Sequence, residues 1–292
     1  MNCPLCNVRE SRPSWLDRVF YHDREFQYRQ CTGCGSLFCH PMPDAQTLAL
    51  MYGPEYVQDF SGGAVFDPKE PLRVIHQLST ESPGTFVDYG CGEGALLAEA
   101  AKRGWTAIGI EFDDDVARRT AERTETRVVG LAEGESLGAC ADVLHLGDVI
   151  EHLTDLNAQM PRILQLLKPG GLLLAQGPLE GNANLFSSTV QTARRLRPAR
   201  RTEMAPYHVL LATASGQRTF FKRFGLSEVQ YSVSEVAWPA PARLRFADWC
   251  RPRALALFTL RKLSQGISQL QPNRWGNRYF YVGRWTPAAQ CS

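Results

Sequence analysis

No stretch of the sequence approaches the ~18 consecutive apolar residues that would span a bilayer; the longest apolar runs are broken by Arg, Gly or Pro. A membrane-crossing helix is therefore not expected. Nor is there an excess of one charge. Lys and Arg number 32 against 30 Asp and Glu, a net +2, which gives no general attraction to nucleic acid or membrane. The opening residues MNCPLCNVRE have neither a basic n-region nor an apolar h-region, so no secretory signal is expected there and the cytoplasm is the expected location. Internal repeats are missing. So is any disulfide rhythm: there are nine cysteines, an odd count, and Cys39, Cys91, Cys140, Cys250 and Cys291 are scattered. This argues for a reducing compartment, and for metal rather than disulfide chemistry at the cysteines that do pair up. The 292 residues suffice for one large core and a small satellite domain.

The paired cysteines are CPLC and CTGC, two C-x2-C knuckles separated by 24 residues. Thiolates two residues apart on a tight turn bite one ion from the same side. Two such turns facing each other make a tetrahedral sulfur site that suits zinc. Cys3, Cys6, Cys31 and Cys34 are the expected ligands of a structural zinc ribbon, with VFYHDREFQYRQC between them alternating bulky and polar residues as a hairpin does. Cys39 and His40 are read as non-ligands because four sulfurs already close the site.

After the ribbon, Asp44 reads as the N-cap of a short helix carrying Leu48 and Met51 on one face. SGGAVFDPKEP (61–71) reads as a hinge, with Tyr52 and Tyr56 before it as candidate lid residues, and LRVIHQL as helix. From residue 84 strand and helix patterns alternate: TFVDYG, EGALLAEAAKRG, TAIGIEF, DDVARRTAER, RVVG, ADVLHLG, then a helix with Pro161 in its first turn or kinked by it, then LKPGGLLLAQGP. Such alternation implies an α/β fold, a doubly wound, mostly parallel sheet with helices on both faces. GLSEVQYSV and NRYFYVGRW read as the sixth and seventh strands, with an interrupted amphipathic helix inserted between them. That helix is expected to pack on the sheet, with a dimer face or a membrane surface as the other readings. The expected boundaries are a zinc ribbon over 1–40, a helical cap over 41–80, a Rossmann-like domain over 81–235, and the insertion with the terminal strand over 236–292.

The first strand of this alternation ends in DYGCGEG. Glycines let the backbone pass close to a ligand and leave the next helix's N–H groups facing it. The spacing is D-x-G-x-G-x-G rather than the dinucleotide G-x-G-x-x-G. An acid two residues before the first glycine repels a pyrophosphate and suits an ammonium group. The second strand ends at Glu111, where a carboxylate can accept both hydroxyls of a ribose. A ligand with an amino-acid end and a ribose end is S-adenosylmethionine. The motifs VDYGCGEGALLAEAAKRGW, GIEFDDD, ADVLHLGDVIEHL and LLKPGGLLLAQGP, in that order over about residues 84–235, resemble the class I S-adenosylmethionine-dependent methyltransferases. Within these the chain looks most like the small-molecule branch related to the ubiquinone-biosynthesis O-methyltransferases. A zinc ribbon followed by a tyrosine-bearing helix is also similar to methyltransferases of bacterial sugar, cell-surface and natural-product pathways. The resemblance implies a seven-stranded sheet, and it implies that Asp88, Gly90, Gly92 and Glu111 hold the cofactor. Cys91, Gly94, Phe112 and Asp148 complete the candidate contacts.

The fourth strand of the alternation runs into DVIEHL. If DVIEH makes a helical turn, Asp148, Glu151 and His152 share a face by the i, i+3, i+4 rule. With His208 downstream, the set resembles the E-x-x-E-H turn plus distant His of plant small-RNA 2′-O-methyltransferases, where it binds magnesium, and the E-x-x-E-H turn of ubiquinone O-methyltransferases. This chain has Asp148 where those have Glu. Three arrangements stay open. A divalent cation on Asp148, Glu151, His152 and His208 chelates two acceptor oxygens. Without a metal, His152 or His208 is a general base. Or Asp148 caps the turn, Glu151 pairs with an arginine and the histidines are packed. The expected reaction is methyl transfer to a small molecule, at a hydroxyl of a sugar or of a natural-product or cell-surface precursor. An RNA methyltransferase using RRLRPARR (194–201), a C-methyltransferase of a keto-sugar and a non-catalytic scaffold are the rival readings. Nucleic acid is not the expected partner, and a homodimer is compatible.

Overall fold

The computed structural model describes residues 2–53, 70–195, 202–237, 243, 244 and 246–287. Tyr56, most of the 61–71 hinge, Cys291 and the side chains of RRLRPARR lie outside the described residues. In chain order the elements are β1 (Ser11–Pro13), β2 (Val19–Tyr21), β3 (Arg24–Cys31), β4 (Leu37–His40), α1 (Ala45–Met51), α2 (Glu70–Thr80), β5 (Thr85–Tyr89), α3 (Ala95–Ala101), β6 (Thr106–Glu111), α4 (Asp114–Thr124), β7 (Arg127–Gly130), α5 (Leu131–Glu135), β8 (Ala141–Gly147), α6 (Leu156–Leu164), β9 (Leu167–Pro178), α7 (Leu185–Arg195), β10 (Thr202–Glu203), β11 (Leu210–Leu211), α8 (Ala214–Arg223), β12 (Leu226–Ser234), α9 (Pro252–Leu270), α10 (Pro272–Trp275) and β13 (Arg278–Trp285). They form two compact units, each assembled from three stretches of chain: residues 1–67, 178–217 and 233–279, and residues 68–177, 218–232 and 280–292.

The second unit is built on a seven-stranded sheet of order β12-β13-β9-β8-β5-β6-β7. The pairs β5–β6, β5–β8, β6–β7 and β8–β9 are parallel. β5 and β8 sit centrally and are buried along almost their whole length, as strands covered by helices on both faces must be. One sheet face presents Phe86, Val143, Leu172, Leu174, Phe280 and Val282 to Val74 and Leu78 of α2 and Leu97 and Ala100 of α3. Each fully buried Leu, Val or Phe contributes about 1.5–3 kcal/mol of transfer free energy. α4 starts where Asp113 accepts from the N–H of Val116 at 2.9 Å, with Asp114 and Asp115 in its first turn. Three details differ from the sequence reading. α3 stops at Ala101, short of Gly104. Pro161 is the sixth residue of α6, not part of its first turn. The short α5 carries no strong pattern of its own.

In the first unit, β2 and β3 form the expected hairpin, with Tyr21 paired to Arg24 across the turn residues His22 and Asp23. Both have positive φ, 45° and 59°, the geometry of a tight two-residue hairpin turn. The ribbon strands do not stand alone: they join a six-stranded sheet in which β10 pairs β2 and β11 pairs β4. Asp44 caps α1 as expected, accepting from the N–H of Thr47 at 2.9 Å.

Candidate active site

The glycine loop follows β5 directly and folds back over the end of β6. Gly90 donates to the carbonyl of Ile110 at 2.8 Å, and Cys91 to the same oxygen at 3.2 Å. Gly90 has φ 78°, and a Cβ there would meet Val149 Cγ2 at 2.9 Å. At Gly92, φ 50°, a Cβ would meet nothing within 4 Å, so the loop faces open space at this point. Glu111 clasps the loop: Oε2 accepts from the N–H of Gly92 at 2.8 Å, and Oε1 from Phe112 at 2.8 Å. Thr120 of α4 donates to the Gly92 carbonyl at 2.7 Å from the other side. Gly94 leads into α3, and Phe112 is 66% exposed beside the carboxylate. Burial pushes the Cys91 thiol well above its ordinary range, reinforced by the charges of Asp88 and Glu111. Cys91 packs in the apolar cluster that includes Phe86, Leu97 and Val143.

Asp88 is only 4% exposed, and its Oδ1 lies 2.7 Å from Nδ1 of His145, itself 3% exposed. A carboxylate can only accept, so Nδ1 of His145 carries the proton. His145 escaped the sequence reading. The available signal was a histidine inside the otherwise apolar strand ADVLHLG, which the parallel register sets opposite Asp88. Gln176 is buried on the neighbouring β9, paired with Gly147. A carboxylate has about four acceptor sites. Asp88 thus keeps acceptor capacity for an ammonium group, and with Glu111 and the open loop the donor set fits S-adenosylmethionine.

The turn after β8 is not the one expected. Asp148 takes φ 52°, and its N–H donates to the Gln176 carbonyl at 3.0 Å. The helical turn begins only afterwards, as a 3-10 turn over Ile150–His152. The i, i+3, i+4 spacing therefore does not carry Asp148 onto the face of Glu151 and His152. The chain reverses through a left-handed residue at the strand end, a conformation Asp tolerates better than most. Glu151 is buried and His152 half-buried in this unit. His208 belongs to the other unit. There its Nδ1 donates to Glu180 Oε2 at 2.7 Å, and its carbonyl accepts from the Tyr28 hydroxyl at 2.7 Å.

In the first unit the four knuckle sulfurs converge. Cys3 and Cys34 Sγ are 3.7 Å apart, Cys6 and Cys31 Sγ 3.5 Å, and all four lie within 4.8 Å of one another. A hydrogen bond from Cys3 holds the Cys34 thiol down to about 5, which favours a thiolate. Cys39 stands outside the cluster. It is fully buried, and burial pushes its thiol up to about 12.

Sheet order, glycine loop and terminal carboxylate define a class I S-adenosylmethionine-dependent methyltransferase fold. A sequence profile for the methyltransferase domain matches residues 65–230, more than half of the chain, and the chain belongs to that family. It is 32% identical over 142 residues to a probable S-adenosylmethionine-dependent methyltransferase of Mycolicibacterium smegmatis, covering 46% of this chain and 49% of that one. It is 32% identical over 111 residues to the ubiquinone biosynthesis O-methyltransferase of Hydrogenovibrio crunogenus, covering 35% and 46%. The chain thus spans about half the length of these two relatives. The solved structure of the [4+2]-cyclase SpnF matches with a TM-score of 0.51 at 14% identity, covering 85% of this chain and 99% of that one. At that identity the likeness shows the fold alone.

Proposed function

We propose that this protein transfers the sulfonium methyl of S-adenosylmethionine to a hydroxyl of a small-molecule acceptor, a sugar or a natural-product or cell-surface precursor. The carrying observation is Glu111, a strand-end carboxylate clasped to a glycine loop that faces open space. In this reading Glu111 accepts from the ribose hydroxyls and Asp88 from the ammonium group, while Gly90, Cys91, Gly92, Gly94 and Phe112 line the cofactor. The cofactor supplies the electrophilic methyl. The protein's part is to align acceptor oxygen, methyl and sulfur in a line, where positioning supplies most of the acceleration. Asp148 and His152, which follow β8, are assigned to the acceptor, with the His152 imidazole taking the hydroxyl proton. A divalent cation held by Glu151 and His152 is the second reading. It is favoured by the placing of a buried carboxylate, Glu151, next to an imidazole, His152, in one short turn.

The same proposal assigns zinc to Cys3, Cys6, Cys31 and Cys34. Zinc–sulfur bonds of about 2.3 Å in a tetrahedron set neighbouring sulfurs roughly 3.8 Å apart, close to the 3.5 and 3.7 Å found here. Such a closed sulfur site holds a fold and leaves no open position for chemistry.

Isothermal titration with S-adenosylmethionine tests the cofactor assignment. Micromolar binding is expected, weakened at least about tenfold, or ~1.4 kcal/mol, in Glu111→Ala and in Asp88→Ala. Unchanged affinity in both variants would remove the cofactor placement. Binding without methyl transfer to any hydroxyl, keto-sugar or RNA acceptor would leave the scaffold reading. Restoring magnesium to EDTA-treated protein should raise acceptor turnover only if the cation reading holds.

A further inference from the structure

At the β12 edge of the seven-stranded sheet, α8, β12 and β13 border a recess of about 430 Å3, within the range of small-molecule pockets. Arg218 and Lys222 of α8, Leu226, Ser227 and Glu228 of β12, and Tyr281 of β13 line it. None of these residues belongs to the candidate active site, and β9 and β8 separate β13 from the strand that carries the glycine loop. Tyr281 is 1% exposed, and its hydroxyl has no hydrogen-bond partner. Its ring stacks on Phe221 at 3.8 Å. The hydroxyl reaches along β13 over Gly283, where a Cβ would overlap it. Two backbone bonds, from the Thr286 N–H to Gly225 and from the Asn277 N–H to Ser234, run β13 antiparallel to β12 with Gly283 opposite Glu228. The hydroxyl therefore lies at the level of Glu228 in the recess. Burial, and after it the charge of Glu228, raises the pKa of this hydroxyl, so it stays protonated and can donate. Glu228 is not its acceptor. Both carboxylate oxygens are taken by Arg218, Oε2 accepting from Nε at 2.7 Å and Oε1 from Nη2. This fork, with the guanidinium 4.8 Å over the Tyr231 ring, fixes Arg218 and leaves its Nη1 N–H groups unspent. The Lys222 ammonium pairs with no acid among the described residues.

We propose that this recess binds the carboxylate of a small organic acid, with Lys222 and Tyr281 donating to its oxygens and Leu226 against its carbon body. The unspent groups are donors, so the ligand must bring acceptors. A buried donor left unmatched is costly, and a ligand oxygen at the Tyr281 hydroxyl removes that cost. Two cations against one carboxylate leave the recess a single positive charge. One carboxylate cancels it, and its bond to the Lys222 ammonium is charge-assisted. A phosphate dianion exceeds that charge and meets Glu228, while a cationic ligand leaves Lys222 opposed. Net charge does not reveal the site, because the imbalance is local.

Isothermal titration of the full chain with sodium benzoate tests the proposal, at an ionic strength held constant with chloride. Saturable binding is expected. Lys222→Gln, at an exposed position, should weaken it by at least about tenfold, the loss of a charge-assisted bond. Tyr281→Phe keeps the stack on Phe221 and removes only the hydroxyl. It should weaken benzoate about threefold or more without lowering the melting temperature. S-adenosylmethionine affinity should be unchanged in both variants, which checks their folding and keeps the outcome separate from that of the cofactor assignment. No saturable benzoate binding by the wild-type chain, or equal affinity in wild type and both variants, overturns the proposal. So does tighter binding of inorganic phosphate than of benzoate, which would contradict the single-charge match.

Discussion

Each of the two units is stabilised internally by different physics. The sheet unit rests on many interchangeable apolar contacts, spread over Phe86, Val143, Leu172, Leu174, Phe280 and Val282 and the helices against them. The ribbon unit has buried aromatics too, but much of its long-range order hangs on single polar groups. Ser36 Oγ accepts from the Thr213 N–H at 2.9 Å. Asn182 donates to the Gly276 carbonyl at 2.8 Å, and Asn184 to that of Trp275 at 3.0 Å. Arg261 and Glu235 form an ion pair with side chains 0% and 1% exposed. Four sulfurs converge at one point. An apolar core loses stability gradually, a methylene at a time. A polar pin fails as a whole, because removing one partner strands the other without water.

Removing a sulfur should give the largest contrast. Cys31→Ser is expected to release the metal and melt the ribbon unit, since structural zinc is linked to ~10–16 kcal/mol of folding free energy in small domains. Elemental analysis finding no zinc in the wild-type protein would sink this. Next in size is Arg261→Ala, which strands Glu235 and should cost about 3–5 kcal/mol in chemical denaturation. The double change Arg261→Met with Glu235→Leu should recover most of that loss; no recovery would mean that packing, not charge, is the issue. In the sheet unit, His145→Leu should weaken S-adenosylmethionine binding several-fold while His145→Asn, which can still donate to Asp88, restores it. If both variants bind like wild type, the pair with Asp88 is only structural.

The smallest effect belongs to Asp142, whose Oδ2 accepts from the Thr85 N–H and from Lys168 Nζ, each at 2.8 Å. Partial burial opposes its ionisation, but Lys168 and the Thr85 N–H outweigh this and hold its carboxyl below the ordinary range. A carboxyl depressed in the folded state stabilises above its unfolded value, roughly 3.9, and loses that contribution as pH falls through the folded value. The group is 40% exposed, so Asp142→Asn should cost under ~1 kcal/mol near neutrality. The gap to wild type should close below that pH. A gap that widens on acidification would contradict the assignment.

The strands of the seven-stranded sheet, the helix start at Asp44 and the glycine loop were legible because each depends on neighbours in sequence. So were the two cysteine knuckles. The turn after β8 was misread at Asp148, since whether a strand end continues into a helix or reverses through a left-handed residue depends on the strand beside it, here through Gln176. His145 went unseen because its partner is 57 residues away and meets it only through sheet register. The boundaries read along the chain ran through contiguous segments, while the compact units interleave three stretches each.

Spacing and periodicity alone were enough to define the α/β alternation, the acid-glycine loop, the strand-end Glu111 and the four knuckle sulfurs. These are local patterns, written within a few turns or strand lengths of one another. Pairing in space decided the rest: Asp88 with His145, β10 and β11 with the ribbon strands, and Arg261 with Glu235. The last of these also set the rotation of α9, with Leu257, Leu260 and Ile267 half-buried and Leu263 and Leu270 exposed. Its leucine periodicity announces an apolar face but not which way that face points. A buried carboxylate on another segment drew the arginine inward because an unpaired buried charge costs more than an exposed leucine.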